Sequence, residues 1–331
     1  MPGFENCGRW RRFRLILNTR HTAPEEYHFR DDTWTTLILP SRPRKGLKNH
    51  YEGRHMQITA LSKHIGAEVT GIDLRQPLDD VTRKALNAAV VEHIALVIRD
   101  QEFTPRQYLA AIANFGEPMP QHFTQYELPD CPLVCEVSNR HTDKTGKRVK
   151  HGAGWHTDHT NHVRPPKYTC LFAVALPSKG GGTSVVNMRA GYEALPEDLR
   201  QKIQGMRTVN VLQGSASAHS AHSAEAQADQ KPVGVQQPLI RTNPENGKKA
   251  LYFHPVKTEC IVGMTPNDTQ ALLNELLAHA VRDEFIYTHR WKKGDVLLWD
   301  NRAALHRANF DYDPDEHRLL HRVLVKGEVP E

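Results

Sequence analysis

The tetrapeptide Trp155-His156-Thr157-Asp158 sets an imidazole and a carboxylate two residues apart. On a strand, alternate side chains share a face, so His156 and Asp158 point one way and Thr157 the other. These make two legs of a metal site. A third donor from a distant strand, His306, would complete two histidines and one carboxylate on one side of an octahedral ion. Such a set leaves the remaining positions open and suits non-haem Fe(II) in oxygen chemistry.

The chain holds 20 histidines, so some fit a ligand pattern by accident. His141-Thr142-Asp143 repeats the spacing, but it lies among Lys144, Thr145, Gly146, Lys147 and Arg148 and reads as a solvated loop. His159 falls on the face opposite Asp158 and reads as structural. His162, His219, His222, His279 and His289 read as surface or packing residues. His254, after Leu251-Tyr252-Phe253, fits a barrel-facing group and an ordinary loop histidine equally. Arg302 and Arg307 read as surface or supporting salt-bridge residues, and Trp155 and Trp299 as packing around the site.

The elements that must position these groups show as short apolar and β-branched runs between turn residues. Strands are expected at 57–61, 67–72, 95–98, 132–138, through His156, and at 167–176, 183–188, 208–212, 250–253, 284–291, 295–299 and 318–325. A helix is expected over 79–93, with Val81, Ala85, Leu86, Ala89 and Val90 on one side. Thr104 begins another: it caps, Pro105 takes the first helical position, and Gln107 reaches back. Further helices are expected across 189–205 and from Thr265-Pro266, the latter with Leu273, Leu276, Leu277 and Ala280 on its apolar face. The stretch from Gly214 to about Gln237, rich in Ser, Ala, Gln and His, reads as a mobile surface loop. The pattern predicts a mainly β fold with added helices, a jelly-roll barrel of the cupin type.

Composition narrows the function classes. No apolar run approaches a membrane span, and no secretory signal begins the chain. Five scattered cysteines fit reduced thiols in a cytoplasm rather than a disulfide framework. The net charge of +5 resides in residues 1–55, which hold 11 Lys/Arg and 6 Asp/Glu, while the remainder balances at 32 of each. A nucleic-acid surface needs a basic face on the fold itself, and none shows. Residues 1–55 read as a disordered or mis-assigned N-terminal extension, and 56–331 as one domain without internal repeats.

Taken with Gly180-Gly181-Gly182-Thr183, Gly294-Asp295-Val296-Leu297-Leu298-Trp299-Asp300-Asn301-Arg302, His306-Arg307 and Arg318-Leu319-Leu320-His321-Arg322, the first motif resembles a known family. It is that of taurine dioxygenase and 2,4-dichlorophenoxyacetate dioxygenase, enzymes that use Fe(II), 2-oxoglutarate and O2. The resemblance runs from about Met56 to the C-terminus and implies a double-stranded β-helix. It implies His156, Asp158 and His306 as iron ligands, Thr183 and Arg318 as contacts of 2-oxoglutarate, and Arg322 as the holder of an anionic substrate head. Arg318 suits a carboxylate on physical grounds too, since a planar guanidinium binds one through two parallel hydrogen bonds. His122, following Phe115-Gly116-Glu117, falls about where family members contact substrate. Gly152 stands where a polar contact is expected, which argues against taurine itself.

The expected activity is hydroxylation of a small anionic molecule, with succinate and carbon dioxide formed from 2-oxoglutarate. Where the hydroxyl lands beside a heteroatom, the C–S, C–O or C–N bond breaks. A carboxylate at Asp158 fills the position a halide would need, so a hydroxylase is expected rather than a halogenase. A homo-oligomer, dimer or tetramer, is expected. The competing reading is a non-catalytic metal-binding jelly roll with a sensory or structural role. It has no use for Thr183 and Arg318 together. A zinc hydrolase would use the same ligand types without 2-oxoglutarate.

Overall fold

The computed structural model describes residues 56–121, 124–212 and 234–331. The expected N-terminal extension, His122 and most of the expected 214–237 loop lie outside the described residues. In chain order come β1 (Gln57–Ala60), β2 (Ala67–Thr70), α1 (Asp80–His93), β3 (Ala95–Ile98), α2 (Pro105–Ile112), β4 (Pro118–Met119), β5 (Glu127–Leu128) and β6 (Cys131–Ser138). Next are β7 (Pro166–Ala175), β8 (Thr183–Asn187), α3 (Met188–Glu193), α4 (Glu197–Lys202), β9 (Arg207–Asn210), β10 (Val235–Pro238), β11 (Ile240–Thr242) and β12 (Lys249–Leu251). The last are β13 (Thr258–Ile261), α5 (Pro266–Ala280), β14 (Ile286–His289), β15 (Val296–Asp300), β16 (Ala304–Ala308) and β17 (Leu319–Lys326).

Helix starts follow local chemistry. Asp79 accepts from Thr82 N at 2.7 Å and caps α1. Thr104 and Gln107 form the reciprocal capping box of α2, with Pro105 behind it. Thr265 caps α5 by accepting from Asp268 N at 3.1 Å. The expected helix over 189–205 is two short helices, because Pro196 breaks it between α3 and α4.

The main sheet runs β1-β2-β3-β15-β7-β17-β6-β5, with β4 also on β17. Among the described residues only β2 and β3, joined through α1, pair in parallel. A smaller sheet runs β14-β8-β16. Period-two alternation sorts the main sheet into two cores. Ala95 and Val97 of β3, Leu171 and Ala173 of β7, Leu297 and Trp299 of β15 and Leu320 of β17 join one core. That core also takes Val185, Val186 and Leu305 from the smaller sheet, and Leu272, Leu273 and Leu276 from α5. Leu96 and Ile98, Cys170 and Phe172, Val296 and Leu298, and Val323 and Val325 turn the other way. They pack under α1 and α2 through Leu86, Val90, Tyr108 and Ile112. The result is the expected jelly roll, a large, mostly antiparallel sheet and a small antiparallel one enclosing the first core, with α1 and α2 covering the other face of the large sheet.

The same alternation decides which polar groups enter the barrel. Thr169, Arg318 and Arg322 share parity with Leu171 and Leu320, and all line one interior cavity with Trp299 and Val137. Two expectations differ here. Residues 235–238, assigned to the loop, form β10 and pair with β9. The strand expected through His156 is a single bridge residue, after which residues 158–160 turn.

Candidate active site

His156 and His306 face each other across an antiparallel bridge, His156 N to His306 O at 3.0 Å and His306 N to His156 O at 2.7 Å. Opposed residues in such a pair project to the same side. Their rings lie 4.0 Å apart at 44°. Strand alternation therefore does not bring Asp158 to its place. The turn does, with His159 at φ 51°, and Asp158 Oδ2 comes 3.8 Å from His306 Nε2. The three ligand atoms lie within 4.8 Å of one another, and among the described residues no other cluster of this kind forms.

Each of the three is fixed from behind. His156 Nδ1 donates to Gly154 O at 2.8 Å, since a carbonyl can only accept, which leaves Nε2 with its lone pair. Thr169 Oγ1 donates to Asp158 Oδ2 at 2.5 Å. Asn301 Nδ2 donates to Thr169 Oγ1 at 2.8 Å, and Trp299 Nε1 donates to Asn301 Oδ1 at 3.1 Å. The indole proton sets the amide, the amide sets the hydroxyl, and the hydroxyl holds the carboxylate. Thr157, on the other side of the chain, donates to Asn301 O at 3.1 Å. Trp299 also lies 4.3 Å from the His306 ring.

Electrostatics favour a cation at this point. Burial would push the Asp158 carboxyl up, yet His306, Arg322 and His156 outweigh it and hold it well below the usual carboxylate range. Burial pushes both imidazoles down, against Asp158, toward the neutral form that has a lone pair to give. His306 Nδ1 is buried without a hydrogen-bond partner. Two imidazoles and one carboxylate, one ligand atom from each, are a donor set that fits a divalent transition metal.

One end of the cavity is built by Arg318, Thr183 and the glycine run. Gly180 and Gly181 take φ of +71° and +68°, and a Cβ on Gly180 would sit 2.3 Å from Asp311 O. The turn lets Gly181 O accept from Arg318 Nε at 2.7 Å. Arg318 Nη2 donates to Thr183 Oγ1 at 3.3 Å, and Trp291 Nε1 donates to the same oxygen at 3.1 Å. Arg318 is 5% exposed, and among the described residues no carboxylate lies within ion-pair distance of it. Burial pushes its pKa down to about 10, against Tyr312 and Asp311.

Arg322 stands four residues on, roughly 13 Å along the strand on the same face. Its Nε donates to Gln121 Oε1 at 2.7 Å, and Gln121 Nε2 donates to Arg322 O at 2.9 Å. This leaves the terminal nitrogens for the cavity, which Arg322 lines.

The expected residues His156, Thr183, His306, Arg318 and Arg322 thus line one cavity, with Asp158 beside His306 behind its wall. His254 is buried with its ring 5.9 Å from that of His156, and its Nδ1 accepts from Val256 N and Lys257 N at 3.1 Å each. Of the two readings of Arg302, the salt bridge holds and the surface does not: it is 1% exposed and bound to Asp300 and Glu245. Arg307 is exposed and lies over Trp155 at 4.6 Å. Sequence reading missed Thr169, Asn301, Gln121 and Trp291 as supports. A lone Thr, Asn, Gln or Trp carries no spacing signal, and only tertiary contacts reveal them.

Comparison with known proteins agrees with this geometry. The model of the "Taurine catabolism dioxygenase TauD, TfdA family" matches residues 57–324. An alpha-ketoglutarate-dependent 2,4-dichlorophenoxyacetate dioxygenase of Cupriavidus pinatubonensis is 32% identical over 289 residues, 83% of this chain and 99% of that one. An alkylsulfatase of Acinetobacter baylyi is 31% identical over 287 residues, 83% of this chain and 86% of the relative. Among solved structures, AAD-2 in complex with Mn(II) and N-oxalylglycine superposes with a TM-score of 0.70 at 30% identity, over 83% of this chain and 98% of that one. The chain belongs to the taurine catabolism dioxygenase TauD, TfdA family.

Proposed function

We propose that His156, Asp158 and His306 hold Fe(II), that Thr183 and Arg318 take the distal carboxylate of 2-oxoglutarate, and that Arg322 receives the anionic head of a small substrate. The protein is a 2-oxoglutarate-dependent dioxygenase. Bound at this site, Fe(II) would activate O2 as the oxidant, with two electrons from decarboxylation of 2-oxoglutarate to succinate and carbon dioxide and two from the substrate as R–H becomes R–OH.

The chain's own groups bind, orient and exclude water. The Trp299–Asn301–Thr169 relay aims the Asp158 carboxylate. Arg318 and Thr183 offer donors, with no acid between them, to a carboxylate arriving at that end of the cavity. Arg322, steadied by Gln121, offers a second cationic fork at the other end. Trp299, Leu171, Val137 and Leu320 make the apolar wall between the two arginines. A substrate that places its anion on Arg322 therefore lays a C–H bond near the His156–Asp158–His306 cluster.

The observation that carries this reading is a metal-ligand triad flanked by two arginines that, among the described residues, make no ion pair at contact distance. A metal-storing or sensory jelly roll has no use for the second arginine or for the Thr183 donor. The relatives named for phenoxyacetate and alkyl sulfate chemistry support an anionic substrate. The test is succinate release by Fe(II)-loaded protein over alkyl sulfates, sulfonates and aryloxy carboxylates, each beside its neutral alcohol or amide. Release stimulated by the anions and not by the neutral partners is the expected result. Equal stimulation by both would remove Arg322 from substrate recognition.

A further inference from the structure

Thr183 Oγ1 sits between two donors, the Trp291 indole N–H at 3.1 Å and Arg318 Nη2 at 3.3 Å. A hydroxyl has two lone pairs and one proton. Both lone pairs are engaged, so the proton is what remains, and Thr183 lines the cavity. We propose that Trp291 is a positioning residue for 2-oxoglutarate: it locks Thr183 as a donor, so that this end of the cavity presents only donors and selects a carboxylate. The inference rests on the reading that Thr183 and Arg318 hold the co-substrate.

The indole is held in place by its own surroundings. Its ring meets His289 edge to face, at 4.5 Å and 87°. His289 is fully buried on β14, directly opposite Thr183 in register. Tyr287 OH lies 3.0 Å from His289 Nδ1, and Asp295 Oδ2 lies 3.1 Å from His289 Nε2. Asp295 in turn accepts from Lys292 N at 2.8 Å and from Arg99 Nη1 at 2.6 Å, which fixes the turn that carries Trp291. Indole is a donor that cannot accept, so it cannot reverse. Tyrosine or histidine at this position could accept from Thr183 and let its proton turn away from the cavity.

The test is an anaerobic titration of Fe(II)-loaded full-length protein with 2-oxoglutarate, read by the visible charge-transfer band of the chelate. The proteins compared are wild type, Trp291→Phe, Thr183→Val and the double variant, with the unfolding midpoint of each recorded. Trp291→Phe is expected to raise Kd about 3- to 10-fold. In the Thr183→Val background the same change is expected to add less than about twofold, because its effect passes through a hydroxyl already gone. Trp291→Phe is also expected to narrow the preference for 2-oxoglutarate over 2-oxoglutaramate, whose distal amide offers donors of its own. A merely structural tryptophan would give multiplying effects and an unchanged preference, and either result overturns the proposal. Wild type that holds Fe(II) but gives no band overturns the co-substrate reading as well. A wild-type band with Trp291→Phe unchanged overturns this inference alone.

Discussion

Arg302 and Arg318 are both nearly fully buried, at 1% and 5% exposure, yet the barrel treats them in opposite ways. Arg302 donates to both Asp300 oxygens at 2.8 Å and to Glu245 at 2.7 Å. Its neighbour Arg241 pairs with Glu328 at 2.6 Å and stacks over Tyr252 at 4.7 Å. Burial alone would lower the Arg302 pKa, but Asp300 above all, with Glu245, raises it instead. Around Arg318 the acceptors are a carbonyl and a hydroxyl, both neutral. A buried cation costs free energy unless it is paired. The first cluster is complete within the chain, whereas the second is left open, as the carboxylate seat proposed for Arg318 requires. On that proposal the difference separates a structural arginine from a binding one where composition and burial cannot.

The largest effect expected from breaking the closed cluster is on stability. Arg302→Met leaves Asp300 and Glu245 unpaired and should cost about 3–5 kcal/mol, measured by denaturant unfolding. Any folded fraction should bind 2-oxoglutarate as wild type does. Arg318→Met should do the reverse. It removes an uncompensated charge, so the metal-free protein should be as stable as wild type or more so. Affinity for 2-oxoglutarate should fall about 100-fold or more, in line with the 2–5 kcal/mol typical of truncating a buried charge pair.

Next comes the ligand itself. Fe(II) and then 2-oxoglutarate, each at about 100 times its Kd, should each stabilise wild type by roughly 2.7 kcal/mol, seen as two successive rises in anaerobic unfolding midpoint. The 2-oxoglutarate rise should vanish in Arg318→Met and persist in Arg322→Met. Arg322→Met should instead raise KM for an anionic substrate by about 10-fold or more, with the 2-oxoglutarate band retained.

The smallest effect is on pH dependence. Burial pushes His254 and His289 below the ordinary histidine value, for His254 with Lys257 and His156 adding to the shift and for His289 against Asp295. The unfolded chain therefore takes up protons first. This contribution to stability is fully present above the unfolded value near 6.5 and is lost as pH falls below it toward the depressed folded values. Metal-free protein should unfold at lower denaturant at pH 5.5 than at pH 7.5, and His289→Asn should flatten the difference.

Legibility in the sequence followed the range of each interaction. The caps at Asp79, Thr104 and Thr265 are local, so the starts of α1, α2 and α5 could be read directly. Strands with an alternating or continuous apolar run, such as β3, β7, β15 and β17, could be read as well. β4, β5, β11 and β13 are two to four residues long and exist only because a partner strand lies beside them. The His156–Asp158 pair was found for a reason that does not hold: a bridge and a turn converge the two side chains, not a pleated strand. Asn301, Gln121 and Trp291 act through side-chain contacts 108 to 201 residues away, and no local pattern marks them or Thr169.

The central claim is that the unpaired Arg318 marks the seat of a carboxylate beside a metal held by His156, Asp158 and His306. Anaerobic titration of Fe(II)-loaded protein with 2-oxoglutarate tests it most directly, run on wild type, Arg318→Met and Asp158→Ala. The account predicts a saturable visible charge-transfer band in wild type. It also predicts a strongly right-shifted titration in Arg318→Met, and loss of bound Fe(II) and of the band in Asp158→Ala. A titration curve in Arg318→Met that superposes on wild type, or Fe(II) bound by wild type with no band at any 2-oxoglutarate concentration, would contradict it.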